Sequence, residues 1–443
     1  MNDYRILADS ITASNDGIES QLNSNTAVVG APGSGKTRSV LLPNILQTAL
    51  AGCRSMVIAD VKGTLYPQTA GILRERDYDV YQIDFTSLAE SPSAWNPLDA
   101  VRIDPITQAV NEQDVASISA VLCPEEQADE PYWTQASRQF LSILITFCLR
   151  RLVPEEHDLS HVCMLLSTMD DNTFSDMMAD YAYLYPHDPL NIRWRTARTV
   201  MRSEKTWSCI GSMISERLDL FNNTDAQAFF HNSNKIRFSD LGERKTALYL
   251  NISDADRSVD RLISLLYTQL MQMLIRDADA QHDGCLQVPC VLMLDDFAAG
   301  TQVPDMANLM ACIRSRGISA MLAVQTLPQL SARYGYNEAS TILSCCDTML
   351  YMGGRDYDTA EEIARQCNLM PASILNLPVT QCVLMQRGQP ARIVLKYQLE
   401  SHPLYKERKE EPTCRTISKK TSTLSSTQPA MGAAALTPSI ADQ

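Results

Sequence analysis

The sequence predicts an α/β protein with a mostly parallel sheet and an inserted all-α domain. Short apolar runs rich in β-branched residues alternate with helical patterns near both ends of the chain, which is typical of strands joined by crossover helices. Between these two parts, residues 104–235 show helical periodicity almost throughout. The order of strands, helices and strands again indicates one domain placed inside another.

The composition is that of a globular protein with an acidic surface. Of the 443 residues, 45% are hydrophobic, and the formal net charge is −14. This charge argues against a surface coated for nucleic acid, so contact with DNA or RNA is expected only at a local groove or an assembled pore. The 13 cysteines include no CxxC pair, which favours reduced thiols over disulfides or a zinc site.

The most informative stretch joins the first buried strand to a helix. The strand TAVV at 26–29 runs into GAPGSGKT at 30–37, a complete G-x-x-x-x-G-K-T motif. Glycine lets backbone N–H groups wrap a phosphate, and the helix adds its positive dipole end. Lys36 is expected to reach the β- and γ-phosphates of ATP, and the Thr37 hydroxyl to bind Mg²⁺. The predicted nucleotide-binding residues are Gly30, Pro32, Gly33, Ser34, Gly35, Lys36, Thr37 and Arg38.

The remaining elements follow the same alternation. The predicted strands after the first are 55–60, 79–83, 246–252, 291–294, 319–324 and 348–352, with a terminal hairpin of 382–386 and 391–396. The predicted helices outside the insertion are 65–76, 257–279, 304–316 and 356–367. Those inside it are 115–122, 133–152, 161–169, 172–183 and 204–220. Ligands of such sheets lie beyond the carboxyl ends of the strands, where both the 30–37 loop and residues 60–63 are expected.

Two acidic residues follow the apolar strand 291–294. Asp295 is placed to hold Mg²⁺, usually through a water, while Thr37 supplies a direct ligand. Asp296 stands where many P-loop motors have a Glu that polarises the attacking water. An Asp is one methylene shorter, and a catalytic group misplaced by about 1 Å can lose about 100-fold in rate unless the backbone compensates. We therefore expect either slow hydrolysis or assistance from another group.

Two further polar residues are candidates for catalysis. Gln325 follows the next strand, where it could orient water or sense the γ-phosphate. A hydrophilic strand end explains the same residue equally well. Arg314, near the end of the helix 304–316, could reach the nucleotide of a neighbouring subunit. The preference of basic residues for helix C-termini is a second explanation, which also holds for Arg316.

The two ends of the chain are expected to lie outside the core. Residues 1–24 are polar and are predicted to form a short strand or an arm, and residues 401–443 a disordered tail rich in Ser, Thr, Ala and Pro. The start MNDYRILADS lacks the pattern of a signal peptide, and no run reaches the ~18 apolar residues of a membrane span.

These motifs together resemble the type IV secretion coupling proteins of conjugation systems, the TraG/TraD family. The resemblance covers residues 25–400. The stretches that carry it are 25–37, 43–44 (PN), 60–63 (DVKG), 95–98 (WNPL), 295–298 (DDFA), 313–318 (IRSRGI), 324–330 (VQTLPQL) and 346–354.

The resemblance implies a RecA-like P-loop ATPase that forms a homo-hexameric ring. Residues 25–103 and 236–400 would form the RecA-like domain, and the insertion 104–235 would face the substrate. The role implied is delivery of a relaxase bound to single-stranded DNA, or of a protein effector, into a type IV secretion channel. By motif match, Asp295 is the magnesium carboxylate, Asp296 takes the catalytic acidic position and Gln325 is the sensor glutamine.

Two departures from the family leave alternatives open. Asp296 replaces the usual Glu, so a second hypothesis is an oligomeric adaptor that binds ATP but hydrolyses little. The N-terminal membrane helices of many members are not found, so we expect a cytoplasmic protein at the inner face of the membrane, recruited by a membrane-anchoring partner, or a deleted or divergent copy. A third hypothesis is a related DNA-translocating pump, which the insertion and the 295–325 block disfavour.

Overall fold

The fold is seen in a computed structural model that describes residues 3–125, 131–253 and 255–410. The strands in these ranges are β1 Tyr4–Ala8, β2 Ile11–Ser14, β3 Thr26–Val29, β4 Ser55–Asp60, β5 Asp79–Asp84, β6 Thr246–Asn251, β7 Cys290–Leu294, β8 Ile318–Val324, β9 Thr348–Tyr351, β10 Gln381–Gln386 and β11 Arg392–Leu395. β1 and β2 form a separate hairpin, and the other strands form one sheet. Every strand predicted from 26 onward is therefore confirmed within a residue or two.

The central sheet has the order β11-β10-β9-β3-β8-β7-β4-β6-β5. All neighbours from β9 to β5 pair in parallel, while β10 is antiparallel to both β9 and β11. The predicted mostly parallel sheet and terminal hairpin are confirmed. Since β3, β8 and β7 are consecutive in the sheet, the loops at their carboxyl ends lie along one edge.

The helices pack on both faces of this sheet. Those before the insertion are α1 Gly17–Ser20, α2 Leu42–Ala51 and α3 Leu65–Arg74. Those of the insertion are α4 Glu112–Leu122, α5 Pro131–Arg151, α6 Leu159–Ser167, α7 Thr173–Leu184, α8 Pro189–Met201, α9 Glu204–Leu218 and α10 Thr224–Phe230. Those after it are α11 Asp240–Glu243, α12 Asp260–Ala280, α13 Met306–Cys312, α14 Leu327–Tyr334, α15 Tyr336–Ser344, α16 Tyr357–Cys367, α17 Pro371–Leu375 and α18 Pro403–Glu410.

Side chains of the central strands alternate between two cores. Ala27 and Val29 join the cluster that also contains the insertion, whereas Val28 joins the cluster beneath α2 and α3. Because a strand points successive side chains to opposite faces, a strand covered on both faces is apolar throughout. This explains why the strands read as continuous apolar runs.

The insertion leaves and re-enters the α/β part at neighbouring points. Ala94 and Lys235 form a parallel bridge. α12 joins the two parts, because Gln272 Nε2 donates to the Ser117 hydroxyl at 3.0 Å and Arg276 pairs with Asp114 at 3.5 Å. Both parts contribute to one apolar cluster. The insertion is therefore packed on the sheet domain rather than tethered to it.

The structure corrects several predictions of helices. The predicted helix 304–316 is α13 followed by a separate 3₁₀ turn, Arg314–Arg316, and Gly317 with φ +73° ends it. The helices α8, α10, α14, α15 and α17 were not predicted. α8 and α14 carry a proline in their first turn, where a helix tolerates it. In the sequence alone, the same proline suggests that no helix continues through it.

The ends of the chain are more ordered than predicted. The N-terminal arm 1–24 contains the hairpin β1–β2, and the side chain of Asn44 in α2 bonds both the N–H and the carbonyl of Ile6 at 2.8 Å. Residues 403–410 of the predicted disordered tail form α18, with Leu404 buried, so that prediction is wrong there. Residues 411–443 lie outside the described residues. No helix within the described ranges is long and apolar enough to cross a membrane.

Candidate nucleotide site

The loop 30–37 leaves the carboxyl end of β3 and turns back on itself. Gly33 and Gly35 have φ of +75° and +94°, a region that strongly favours glycine. The Lys36 Nζ atom donates to the Gly30 carbonyl at 2.7 Å and to the Ala31 carbonyl at 3.3 Å. The loop thus closes around its own lysine. It continues into a π-helical turn, Thr37–Leu41, and then α2.

Neighbouring strands hold the start of the loop in place. The Gly30 N–H donates to the Val324 carbonyl at the end of β8, at 3.1 Å, and the Ala31 N–H donates to the Gly353 carbonyl after β9, at 2.9 Å. A Cβ atom on Gly30 would lie 2.7 Å from Ser34 Oγ and 2.8 Å from Met352 Cβ. Gly30 is therefore required by close packing rather than by its backbone angles.

The acidic pair after β7 meets this loop from across β8. The Thr37 hydroxyl donates to Asp295 Oδ2 at 2.9 Å, and the other Asp295 oxygen accepts the Asp296 N–H at 3.0 Å. A hydroxyl and a carboxylate are hard oxygen ligands of the kind that Mg²⁺ prefers. Among the loop and the acidic pair, these two groups best fit a magnesium ion.

Asp296 lies at the point where three polar side chains converge. Its carboxylate is 4.0 Å from Lys36 Nζ and 3.8 Å from Lys62 Nζ, and it accepts a hydrogen bond from Gln325 Nε2 at 3.3 Å. The Asp296 backbone has φ +46°, in the left-handed region that Asp tolerates better than most residues. The Asp296 carboxylate is thus within ion-pair distance of Lys36 in the loop.

Burial makes the charged forms of Lys36 and Asp295 less favourable. Lys36, Asp295 and Asp296 are 6%, 5% and 7% exposed. Burial lowers the pKa of Lys36, against the attraction of the two carboxylates. Burial also raises the pKa of Asp295, and the charge of Asp296 raises it further. A cation beside Asp295 and an anion beside Lys36 would each compensate a buried charge.

The structure brings together most of the residues predicted from the sequence. Lys36, Thr37, Asp295, Asp296 and Gln325 form one connected cluster. Ser34 Oγ is buried without a hydrogen-bond partner among the described residues, while Pro32 and Gly33 lie exposed at the tip of the loop.

Two predicted residues lie apart from this cluster. Arg38 is exposed and forms an ion pair with Glu400. Arg314 precedes β8 and therefore lies at the edge of the sheet opposite to the loop, where its side chain is exposed. Arg314 does not reach the site of its own chain, because β8 separates it from Gln325 by its full length. Its action on the nucleotide of a neighbouring subunit stays a prediction.

Two residues of the site were missed in the sequence. Lys62 follows β4 and pairs with Asp296. The sequence could have indicated this residue, because the stretch 60–63 was already expected at the same edge of the sheet as the loop. Lys396 follows β11 and donates to the Ser34 carbonyl at 2.8 Å. A lone lysine after an edge strand carries no signal in sequence that it turns inward.

The fold and the site together indicate a P-loop NTPase, and comparison with solved structures supports this fold. The bacterial conjugative coupling protein TrwBΔN70 superposes with a TM-score of 0.65 at 16% identity, over 88% of this chain and 87% of that chain. A structure of plasmid coupling protein TrwB in complex with ADP and Mg²⁺ gives a TM-score of 0.61 at 16% identity, over 84% and 85%. The chain has the RecA-like fold of P-loop NTPases.

The family follows from comparison of sequences. The family model for type IV secretory system conjugative DNA transfer matches residues 8–368, and the chain belongs to this family. The conjugal transfer protein TraG of Escherichia coli is 21% identical over 342 residues, which are 75% of this chain and 53% of that protein. The chain thus spans about half the length of the curated relatives it matches.

The packing around Gly30 gives a prediction for stability. In Gly30→Ala the new methyl overlaps Ser34 and Met352, so we expect the free energy of unfolding to fall by about 1–3 kcal/mol. Gly71 lies inside α3 with open space around it, and Gly71→Ala should raise the unfolding free energy by about 0.5–1 kcal/mol. Urea unfolding of both variants checks this. A Gly30→Ala protein as stable as the wild type would refute the close packing.

Proposed function

We propose that this chain is an ATPase coupling protein of a conjugation system. In this role it recruits a relaxase–DNA complex, or another protein substrate, and drives its transfer into a type IV secretion channel. The observation that carries the proposal is the contact between Thr37 of the loop and Asp295 after β7, which joins the two halves of a P-loop NTPase site at 2.9 Å. Family membership supports the transfer role.

The proposed nucleotide is ATP with Mg²⁺. Lys36 would exchange the Gly30 and Ala31 carbonyls for phosphate oxygens, and the N–H groups of the loop 30–37 would surround the phosphates. Thr37 and Asp295 would hold Mg²⁺, which when bound neutralises charge on the phosphates. The related protein TrwB has been solved in complex with ADP and Mg²⁺.

The proposed catalytic group is Asp296. Its carboxylate would accept the proton of the water that attacks the γ-phosphate, and Gln325, which donates to it, would fix the orientation of carboxylate and water. Lys62, whose ammonium lies 3.8 Å from the second oxygen of Asp296, would help to hold this carboxylate in place. Arg314 would contribute only in trans, to the site of a neighbouring subunit in a homo-hexameric ring.

The proposed location follows from the same role. The chain would act at the cytoplasmic face of the membrane, held there by a membrane-anchoring partner protein. Its partners would be the relaxase, single-stranded DNA and components of the channel. The alternative is the adaptor that binds ATP but hydrolyses little. Asp296 supports it, because this residue replaces the Glu that the family usually has.

The first prediction of the proposed function concerns ATP turnover. We expect Mg²⁺-dependent hydrolysis by the full chain that rises with single-stranded DNA, and a loss of about 100-fold or more in Lys36→Met, because one buried charged donor to the phosphates is removed. Steady-state phosphate release measures both. Lys406→Met, on an exposed helix, is the matched control. ATP binding without turnover would favour the adaptor, and no ATP binding would refute the site.

The second prediction separates catalysis from binding. Asp296→Asn keeps the size of the side chain but removes the proton acceptor, so turnover should fall about 100-fold or more while ATP affinity is kept. Asp305 also has a left-handed backbone, at φ +56°, but is exposed, and Asp305→Asn is the matched control. Equal turnover in wild type and Asp296→Asn would exclude Asp296 as the base.

A candidate surface for DNA lies on α8 of the insertion. Residues 193–205 contain five Arg or Lys residues and one Glu in a chain of net charge −14. Arg195, Arg198 and Arg202 are exposed, follow each other at helical spacing on one face, and form no ion pair within the described residues. We call these three residues the α8 basic face. Its charge complements a phosphate backbone.

The third prediction tests the α8 basic face. In Arg195→Glu/Arg198→Glu, affinity for single-stranded DNA should fall, and the slope of log K against log salt should drop by about 0.7 for each phosphate that the protein no longer neutralises. Fluorescence anisotropy at several salt concentrations measures this. Arg392→Glu/Lys406→Glu makes the same charge change at exposed sites outside α8. An equal decrease of affinity in both double variants would contradict specific binding by this face.

A further inference from the structure

Lys396 is a buried lysine next to an edge strand that is largely exposed. It follows the edge strand β11, where most side chains face solvent, yet it is only 6% exposed. Its Nζ atom donates to the Ser34 carbonyl in the loop and to the Met352 carbonyl after β9, both at 2.8 Å. Lys396 therefore connects the phosphate-binding loop to the strand beside it.

The bond to Ser34 fixes the direction of a peptide group in the loop. In a planar trans peptide the carbonyl and the following N–H point in opposite directions. With the Ser34 carbonyl held outward by Lys396, the Gly35 N–H points away from Lys396. Gly35 has φ +94°, so glycine suits the backbone that this orientation requires. N–H groups directed inward are what such a loop needs to bind an anion.

The bond to Met352 gives Lys396 a rigid support. The Met352 N–H donates to the Val29 carbonyl at the end of β3, at 2.7 Å, so Met352 is itself fixed to the strand that leads into the loop. The chain beyond Lys396 stays on the same unit, because Leu399 is buried and Glu400 pairs with Arg38 at the start of the helix after the loop. Residues 396–400 thus pass along the loop and hold it at two points.

Among the described residues, the charge of Lys396 has no counter-ion. Both acceptors are neutral carbonyls, and no carboxylate forms an ion pair with it in the described ranges. The one titratable side chain that acts on its charge there is the buried Cys382 thiol of β10. Burial lowers the pKa of Lys396. An uncompensated buried ammonium is costly, and an anion in the adjacent loop would reduce that cost.

We propose that Lys396 is a positioning residue of the phosphate-binding loop, which orients the Ser34–Gly35 peptide and provides a positive charge that a bound triphosphate compensates. The proposal rests on the proposed binding of ATP by this loop. It extends the proposed nucleotide site to a residue that directly follows the last strand of the sheet.

The test compares three variants of the full chain. Lys396→Met keeps the length of the side chain without donors or charge, and Lys396→Arg keeps the donors and the charge. Arg392→Met, on the strand that precedes Lys396, is the matched control. Affinity for a fluorescent ATP analogue with Mg²⁺ should fall about tenfold or more in Lys396→Met, the effect of losing hydrogen bonds from a charged group. Lys396→Arg and Arg392→Met should stay within about threefold of wild type, given the ordinary spread of such substitutions.

The pH dependence separates this role from a purely structural one. If the bound triphosphate favours the charged form of Lys396, wild-type affinity should fall as the pH rises through the pKa of Lys396 in the free protein. Lys396→Arg remains charged and should lose this part of the decline, while Lys36 contributes equally to both profiles. Identical profiles for wild type and Lys396→Arg would overturn the proposed charge effect.

The outcomes also separate this proposal from the proposed function. ATP binding by wild type that is lost in Lys36→Met, together with undiminished binding by Lys396→Met, would refute the role of Lys396 alone. Absence of ATP binding by wild type would refute the nucleotide site itself. If Lys396→Met does not fold, the comparison of pH profiles between wild type and Lys396→Arg still decides, since Arg keeps the donors and the charge.

Discussion

The hydrogen bond from Thr37 to Asp295 is the contact on which the rest of the site depends. It joins residues 258 positions apart in the chain, across the intervening strand β8. The contact requires β3, β8 and β7 to be parallel and in register, so that their carboxyl ends form one edge. The proposed binding of phosphate and Mg²⁺ at this edge, and the proposed position of the attacking water, depend on that register.

A second contact, between Ala94 and Lys235, explains how the chain accommodates a large insertion. The chain leaves the sheet domain and returns to it at Ala94 and Lys235, which are directly paired, so the ends of the insertion are close together. Closing a long loop then adds little entropic cost, and α12 packs the insertion onto the sheet.

The sequence predicts the sheet and the central residues of the site because both depend on local patterns. Buried strands need continuous apolar runs, and a phosphate loop needs glycine and lysine at set positions, so Lys36, Thr37 and Asp295 are found directly. The left-handed backbone of Asp296 and the buried position of the Lys396 side chain depend on tertiary packing, and no local sequence pattern predicts them. Arg314 illustrates a different limit, since a motif match gives no information on which subunit a residue serves.

In the proposed function Lys36, which bonds to backbone carbonyls, is released to bind the phosphates of ATP. A structure of the protein with a non-hydrolysable ATP analogue and Mg²⁺ tests this release. We expect Lys36 Nζ to leave the Gly30 carbonyl for the β- and γ-phosphates, with Thr37 on the metal and Asp295 beside it. A structure in which the analogue binds elsewhere while Lys36 stays on Gly30 would contradict it.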